Sequence, residues 1–430
     1  MTVRQGGRVG SALLTDRYEL TMLDAALVSG LAERPVVFEA FTRRVPPGRR
    51  YAVLAGLARF LEQLPAFRFD ADELGWLVDH DVVRPETARY LEGWRFRGDI
   101  TAYAEGEVFV PRSPVVQVRS TFGDGVLLET LLLSCLNGDS AVAAAASRVR
   151  TAAGDKRLLE MGSRRAHEQA AVANARAAYL CGFDATSNLA AGRLHGVPTS
   201  GTVAHAFVLA HESEREAFAA YARASRTPPV LLVDTYDVLQ GVRTAVEVAD
   251  GRLGAVRLDS GDLEALVPQV RALLRELGSP DTQVVCTGDL DEDRIPGLVQ
   301  AGADVFGVGS RLAAGGGHPS AGLVYKVVEQ EGRGVAKRSQ GKTDVPGAKA
   351  AYRLLDDDGR AVAEVLRPAG TPPPDGRHRP LQSVVVRAGE VVGGLPLEDA
   401  RRHHAAAKAE LPDTSLAAGE PIPTRLPETA

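Results

Sequence analysis

Five short stretches hold most of the residues in this chain that could do chemistry: SGTVAHAF (200–207), VLLVDTYD (230–237), AVRLDSGD (255–262), VVCTGDLD (284–291) and DVFGVGSR (304–311). In AVRLDSGD a cation, Arg257, and a carboxylate, Asp259, stand two residues apart and so share one face of a strand. That pair can bind an anion while holding a ribose hydroxyl or a hydrated metal. VVCTGDLD repeats the theme with Gly288 and Asp289. In DVFGVGSR, Gly307 and Gly309 permit a turn whose backbone N–H groups, with the Ser310 hydroxyl, suit a phosphate. Carboxylate and hydroxyl oxygens are hard ligands for which Mg2+ is the usual partner, and no His/Cys cluster of zinc-binding spacing accompanies them. The set suits a phosphorylated sugar carried with Mg2+.

His205 opens a helical pattern after a Ser-Gly-Thr turn. The positive end of a helix disfavours imidazolium, keeps the ring neutral and nucleophilic, and stabilises an anion attached to it. A nucleophilic histidine needs an orienting partner, and Asp234 is the candidate. This constellation suits phosphoryl transfer through a phosphohistidine. Taken singly, each stretch also admits a plainer reading: a packed histidine beside Ala206 and Phe207, or Asp and Gly that end strands and cap helices. Recurrence of the pattern in successive units favours a shared site.

The elements that must position these residues follow from the same spacing. Apolar runs ending in polar residues and glycine, the last of them separated by helical patterns such as DLEALVPQVRALLREL, predict βα units and a parallel sheet, with VPTSGT read as one of the strands. The repeat is near the roughly 30 residues per unit of a (β/α) barrel, whose active sites gather at the C-terminal ends of the strands. Residues 1–125 mix helix and strand. DRYELTMLDAALVSG predicts a helix capped at Gly30, PVVFEAFT a strand, and DITAYAEGEVFVPRSPVVQVRS two more. We expect the barrel over 126–320, a β-rich segment over 321–410 and a tail over 411–430.

The 430 residues are 45% hydrophobic and 24% charged with a net charge of -5, the profile of a soluble globular protein. Charges are interspersed rather than striped, so no nucleic-acid partner is expected. No run reads as a membrane span and the N-terminus lacks a signal-peptide core, so no membrane partner is expected. Three scattered cysteines fit a reducing, cytoplasmic setting.

Together LLTDRYELTM, MGSRRAHE, GFDATSNLAAGRLHGVPTSGTVAHAF, LLVDTYD, VRLDSGDL, GVGSRL and KRSQGK, in this order, resemble the nicotinate phosphoribosyltransferase family. The resemblance implies an α/β fold: an irregular (β/α) barrel with an α/β sandwich domain built from the N- and C-terminal segments. It also implies a homodimer with shared active sites, and small-molecule substrates: nicotinate, phosphoribosyl pyrophosphate and ATP, the last two with Mg2+. The implied reaction gives nicotinate mononucleotide and pyrophosphate, an entry to NAD salvage, coupled to ATP hydrolysis. His205 then matches the phosphorylated histidine, with Asp234 its orienter and Asp259 the ribose-side carboxylate. Tyr18 matches an aromatic that a neighbouring subunit stacks on the pyridine ring. Arg164, Thr202 and Arg257 match positions around the nicotinate carboxylate and ribose, and Gly288, Asp289, Gly307, Gly309 and Ser310 the 5'-phosphate cradle. Arg43 and Lys337 match pyrophosphate-facing cations, or are solvated surface charges.

Two positions depart from the family pattern. Met161 stands where many relatives have Phe, making the second wall of the ring sandwich a thioether. Gly138 replaces a bulky residue in a helix. Ser187 stands where nicotinamide-using relatives carry Asp, which favours a carboxylate substrate. The alternatives are a nicotinamide or quinolinate phosphoribosyltransferase of the same fold, and a non-catalytic phosphosugar-binding barrel.

Overall fold

The computed structural model describes residues 12–46, 48–339, 342–412 and 421–427. The tail expected over 411–430 lies largely outside the described residues. The chain divides into two compact units, residues 1–141 with 320–430, and 142–319.

The first unit is assembled from both ends of the chain. Its larger sheet runs Arg333–Gly334, Leu323–Gln330, Pro35–Thr42, Val116–Thr121, Asp99–Tyr103, Gln382–Arg387, Glu390–Val391, all neighbours antiparallel. Phe38 on Pro35–Thr42 stacks on Tyr325 of the adjacent strand with ring centroids 4.6 Å apart. These rings join Leu20, Leu23, Phe60, Ile100, Val116, Val118 and Val386 in one apolar core. A second sheet pairs Lys349–Leu355 with Ala361–Pro368, flanked by His378–Pro380 and Thr424–Arg425. Helix Arg17–Ser29 ends as its sequence predicts, at Gly30 with φ 71°, a left-handed cap that glycine adopts without strain.

One long stretch, Phe122–Ala153, is apolar enough by length and composition to cross a membrane, contrary to the sequence reading. It behaves as a core helix: 67% of its most apolar window is buried inside the protein. It also places Asp139 in a two-point ion pair with Arg59.

The second unit holds a six-stranded parallel sheet in the order Ala185–Thr186, Arg157–Glu160, Val305–Val308, Gln283–Cys286, Ala255–Leu258, Val230–Leu232. It curls as a half-barrel. Leu159, Ala185, Ala255, Val285 and Val305, one from each of five strands, form a small inner cluster against which Met161 and Val230 pack. Helices such as Val238–Ala249 and Leu263–Glu276 connect the strands. Four strands fall where the apolar runs predict them. VPTSGT does not form a strand: it makes a single bridge, Thr186 to Thr199, because Pro198 has no N–H to extend a ladder. The remaining two strands escaped the sequence reading: Arg157–Glu160 lies between long helical stretches, and Ala185–Thr186 is only two residues long and follows one.

Candidate active site

The strand ends of the second unit bring Arg257, Asp259, Asp234 and His205 together. Arg257 sits inside strand Ala255–Leu258 and its guanidinium is almost fully engaged. Nε donates to Thr287 Oγ1 at 3.0 Å, Nη1 to Thr202 Oγ1 at 3.1 Å, and Nη2 to Asp259 Oδ1 at 2.7 Å. A planar guanidinium held on three edges is a fixed positive wall. Thr287 donates its hydroxyl to the same Asp259 oxygen. Burial alone would push the Asp259 carboxyl up, but the Thr287 hydroxyl and the Arg257 charge outweigh it and hold the group below its ordinary value. Asp259 is therefore ionised at neutral pH.

Asp234 lies two residues past strand Val230–Leu232 with its carboxylate buried. Its Oδ2 accepts the Asp259 N–H at 2.9 Å and the Ser260 hydroxyl at 2.6 Å. Its Oδ1 has no hydrogen-bond partner among the described residues and faces His205 Nε2 at 3.8 Å. Asp259 Oδ2 stands 3.8 Å from the same nitrogen. On the other side of the ring, Nδ1 meets Thr235 Oγ1 at 3.1 Å. The hydrogen bond that sets the ring thus comes from Thr235, and Asp234 acts at longer range, beyond hydrogen-bond distance. His205 is the first residue of a five-residue helix, His205–Leu209, so its helix supplies only a short dipole.

Next along the sheet, Gly288 has φ 102° and Asp289 φ 51°. A Cβ on Gly288 would lie 2.3 Å from the Asp259 carbonyl oxygen, so this crossing admits only glycine. Gly307 meets Thr287 and Met161 just as closely, with an added Cβ 2.6 Å from Thr287 Cγ2 and 2.7 Å from Met161 Sδ. Gly309 precedes the short helix Ser310–Ala313. The amides of Gly288, Asp289 and Ser310 make no backbone hydrogen bond among the described residues, which leaves donors at the turn where a phosphate was expected.

At the other end of the sheet, Ser163 and Ser187 approach with Oγ atoms 3.4 Å apart, and Arg164 beside them is exposed. In the first unit, Tyr18 is partly exposed on helix Arg17–Ser29; burial and the neighbouring Glu129 carboxylate raise its hydroxyl above the usual range. Arg43 is already bound at two points by buried Asp344, through Nε at 3.0 Å and Nη2 at 2.8 Å, so an anion there must compete with that pair. Lys337 is exposed.

Thr287, Thr235, Ser163 and Asn188 were not singled out from the sequence. Only their positions one to three residues past a strand end, beside residues that were, could have pointed to them.

The family model for the nicotinate phosphoribosyltransferase N-terminal domain matches residues 13–137, and that for the nicotinate phosphoribosyltransferase family matches 156–341. Nicotinate phosphoribosyltransferase pncB1 of Mycobacterium tuberculosis is 51% identical over 427 residues, covering 96% of this chain and 95% of its own. The crystal structure of human nicotinic acid phosphoribosyltransferase aligns with a TM-score of 0.84 at 29% identity, covering 96% of this chain and 98% of its own. A nicotinate-nucleotide pyrophosphorylase from Pyrococcus furiosus shares the fold at a TM-score of 0.81 and 24% identity, with 95% of this chain and 99% of that one covered. Fold alone therefore leaves the reaction open, whereas two consecutive family models and half-identity along nearly the whole length do not leave the lineage open. The chain belongs to the nicotinate phosphoribosyltransferase family.

Proposed function

We infer that this chain is a pentosyltransferase that moves the phosphoribosyl group of phosphoribosyl pyrophosphate to nicotinate, giving nicotinate mononucleotide and pyrophosphate in NAD salvage. We propose further that ATP hydrolysis is coupled to it through phosphorylation of His205. The observation that carries the coupling is the His205 ring, fixed on one side by Thr235 and facing two carboxylates on the other.

The pyridine nitrogen attacks the anomeric carbon as the bond to the pyrophosphate oxygen breaks, and positive charge develops on the ribose. Asp259, kept ionised by Thr287 and Arg257, supplies a fixed negative charge for that sugar. The amides at Gly288, Asp289 and Ser310 receive the 5'-phosphate, and Met161 offers a thioether face to the ring. In the coupled cycle the γ-phosphoryl group of ATP bonds to a ring nitrogen as ADP leaves, and water later takes it as inorganic phosphate. The two carboxylates favour the charged ring formed on the way. Mg2+ enters as the counter-ion of the polyphosphate substrates. Asp234 Oδ1, without a partner among the described residues, and the half-buried Asp259 carboxylate are hard oxygen donors that would hold it. The working form is a cytoplasmic homodimer in which Tyr18 stacks on the pyridine of the neighbouring subunit.

The test is consumption of nicotinate, nicotinamide or quinolinate by the purified protein with phosphoribosyl pyrophosphate and Mg2+, each with and without ATP. Nicotinate turnover stimulated by ATP is expected, and failure to consume nicotinate overturns the reading. His205→Ala is expected to lose nicotinate-dependent ATP hydrolysis while keeping slow, uncoupled ribosyl transfer. Coupling that survives in this variant removes the phosphohistidine.

A further inference from the structure

We propose that Glu160 is a positioning residue: from behind the sheet, its carboxylate ties the turn that carries Met161 to the end of the neighbouring strand and so fixes the wall against which the pyridine ring rests. The inference rests on the reaction proposed above and deepens it.

Side chains alternate across a strand, and this sorts the residues at the corner of the sheet. Met161 packs with Leu159 and Ala185 in the inner cluster, so Glu160, which lies between Leu159 and Met161, points to the opposite face. Its register partner on the adjacent parallel strand is Thr186, whose side chain stands on that same face. Both residues are buried. Glu160 Oε2 accepts the Thr186 hydroxyl at 2.5 Å, and Oε1 accepts the Gly162 N–H. A Cβ on Gly162 would lie 2.7 Å from Oε1 and push the carboxylate away, so glycine is what lets this amide approach.

The brace reaches further through Thr186. Its Oγ1, while donating to Glu160, accepts the Asn188 N–H at 3.0 Å, just before helix Leu189–His195. One carboxylate thus joins the turn past Arg157–Glu160, the strand Ala185–Thr186 and the start of the next helix. The strand needs the support: it is two residues long, it ends the sheet, and its outer side carries one isolated bridge, Thr186 to Thr199. Met161 is held from its other side by the Val308 carbonyl, which accepts its N–H at 2.8 Å.

Among the described residues Glu160 has no ion pair, and burial pushes its carboxyl above the usual carboxylate range although both donors pull the other way. A buried acid with no cation beside it costs stability. What Glu160 supplies in return is geometry: two oxygens in one planar group, each aimed at a donor on a different segment. Glutamine keeps that plane, since its oxygen can accept from Gly162 and its NH2 can donate to Thr186 Oγ1. Alanine keeps neither bond, so the two substitutions separate position from charge.

The experiment measures kcat and KM for nicotinate and for phosphoribosyl pyrophosphate in the full-length protein and in Glu160→Ala, Glu160→Gln, Thr186→Val and Thr186→Ser. Thr186→Val keeps the shape of the side chain and deletes only the hydroxyl, so it tests the brace even if Glu160→Ala fails to fold. Glu160→Ala and Thr186→Val are expected to raise KM for nicotinate roughly tenfold, the size of losing one hydrogen bond to a charged group. KM for phosphoribosyl pyrophosphate stays unchanged, because the residues proposed to hold it stand on other strands. Glu160→Gln and Thr186→Ser, which rebuild the brace, keep KM for nicotinate near that of the parent. A Thr186→Val protein with unchanged KM for nicotinate, an equal rise for both substrates, or Glu160→Gln as impaired as Thr186→Val overturns the positioning role. Wild-type protein that consumes no nicotinate overturns the proposed function itself, an outcome separate from unchanged constants in an active enzyme.

Discussion

Glu19, in the LLTDRYELTM stretch, shows how much a single buried carboxyl can carry. Its side chain is fully buried and accepts the Thr130 N–H at 2.8 Å together with the Thr130 and Thr15 hydroxyls. Burial wins over those bonds and pushes the group up to about 7. A carboxyl raised in the folded state adds stability that is fully present below its unfolded value near 4.5 and is lost as pH rises to about 7. Glu19→Gln removes that loss, and its amide oxygen can still accept from Thr130. Urea denaturation of both proteins is expected to show the variant gaining on the parent between pH 5 and pH 8, by on the order of 3 kcal/mol. A gap that narrows with pH would reverse the sign of the argument. At this scale the sequence singled out Asp234, Asp259 and His205 because such residues recur past successive apolar runs, although any one of them alone could be a cap or a packed side chain. It hid Thr235 and Thr287, which hold His205 and Asp259 respectively. Threonine near a strand is common, and only the fold shows which hydroxyl meets which charge.

Among elements, two glycines in regular structure have opposite meanings that sequence alone does not separate. Gly138 lies inside helix Glu129–Ala153, and a Cβ built there meets nothing within 4 Å. The bulky residue expected at that position thus leaves open space rather than a repacked contact. Gly138→Ala is expected to stabilise the protein by about 0.5–1 kcal/mol, the helix-propensity difference, measured as a shift in the urea midpoint at constant slope. Gly307 lies inside strand Val305–Val308, and there a Cβ must displace Thr287 and Met161. Gly307→Ala is expected to cost about 1–3 kcal/mol by overpacking. It should also lower kcat/KM for nicotinate, since Thr287 anchors Asp259 and Met161 is the proposed wall of the pyridine site. The long βα repeats were legible because buried strands and amphipathic helices impose different periods. The strands Arg157–Glu160 and Ala185–Thr186 were not: the first lies between two long helical stretches, and the second is only two residues long.

For the molecule as a whole, the sequence reading placed strands at both ends of the chain, and the resemblance said that they meet. What fastens them could not be read from spacing, since the partners are hundreds of residues apart. Arg353 and Glu364 are both fully buried on the hairpin of the smaller sheet and pair at 2.8 Å. From the N-terminal segment, Tyr103 and Ser113 donate to Glu364, the Val108 carbonyl accepts from Arg353 at 2.7 Å, and Glu107 stands 3.5 Å from the same guanidinium. Glu107 is in turn held by Arg379 and by His403 at 2.9 Å, and despite its burial these partners lower it to about 2. Breaking such a buried pair costs far more than replacing it, because the orphaned charge cannot return to water. Arg353→Met is expected to destabilise the protein by about 3–5 kcal/mol in urea denaturation at pH 7. The double variant Arg353→Met/Glu364→Met removes both charges and should recover at least half of that loss. If the double variant is as unstable as the single one, the cost lies in packing around the hairpin, and the network does not fasten the two ends of the chain electrostatically.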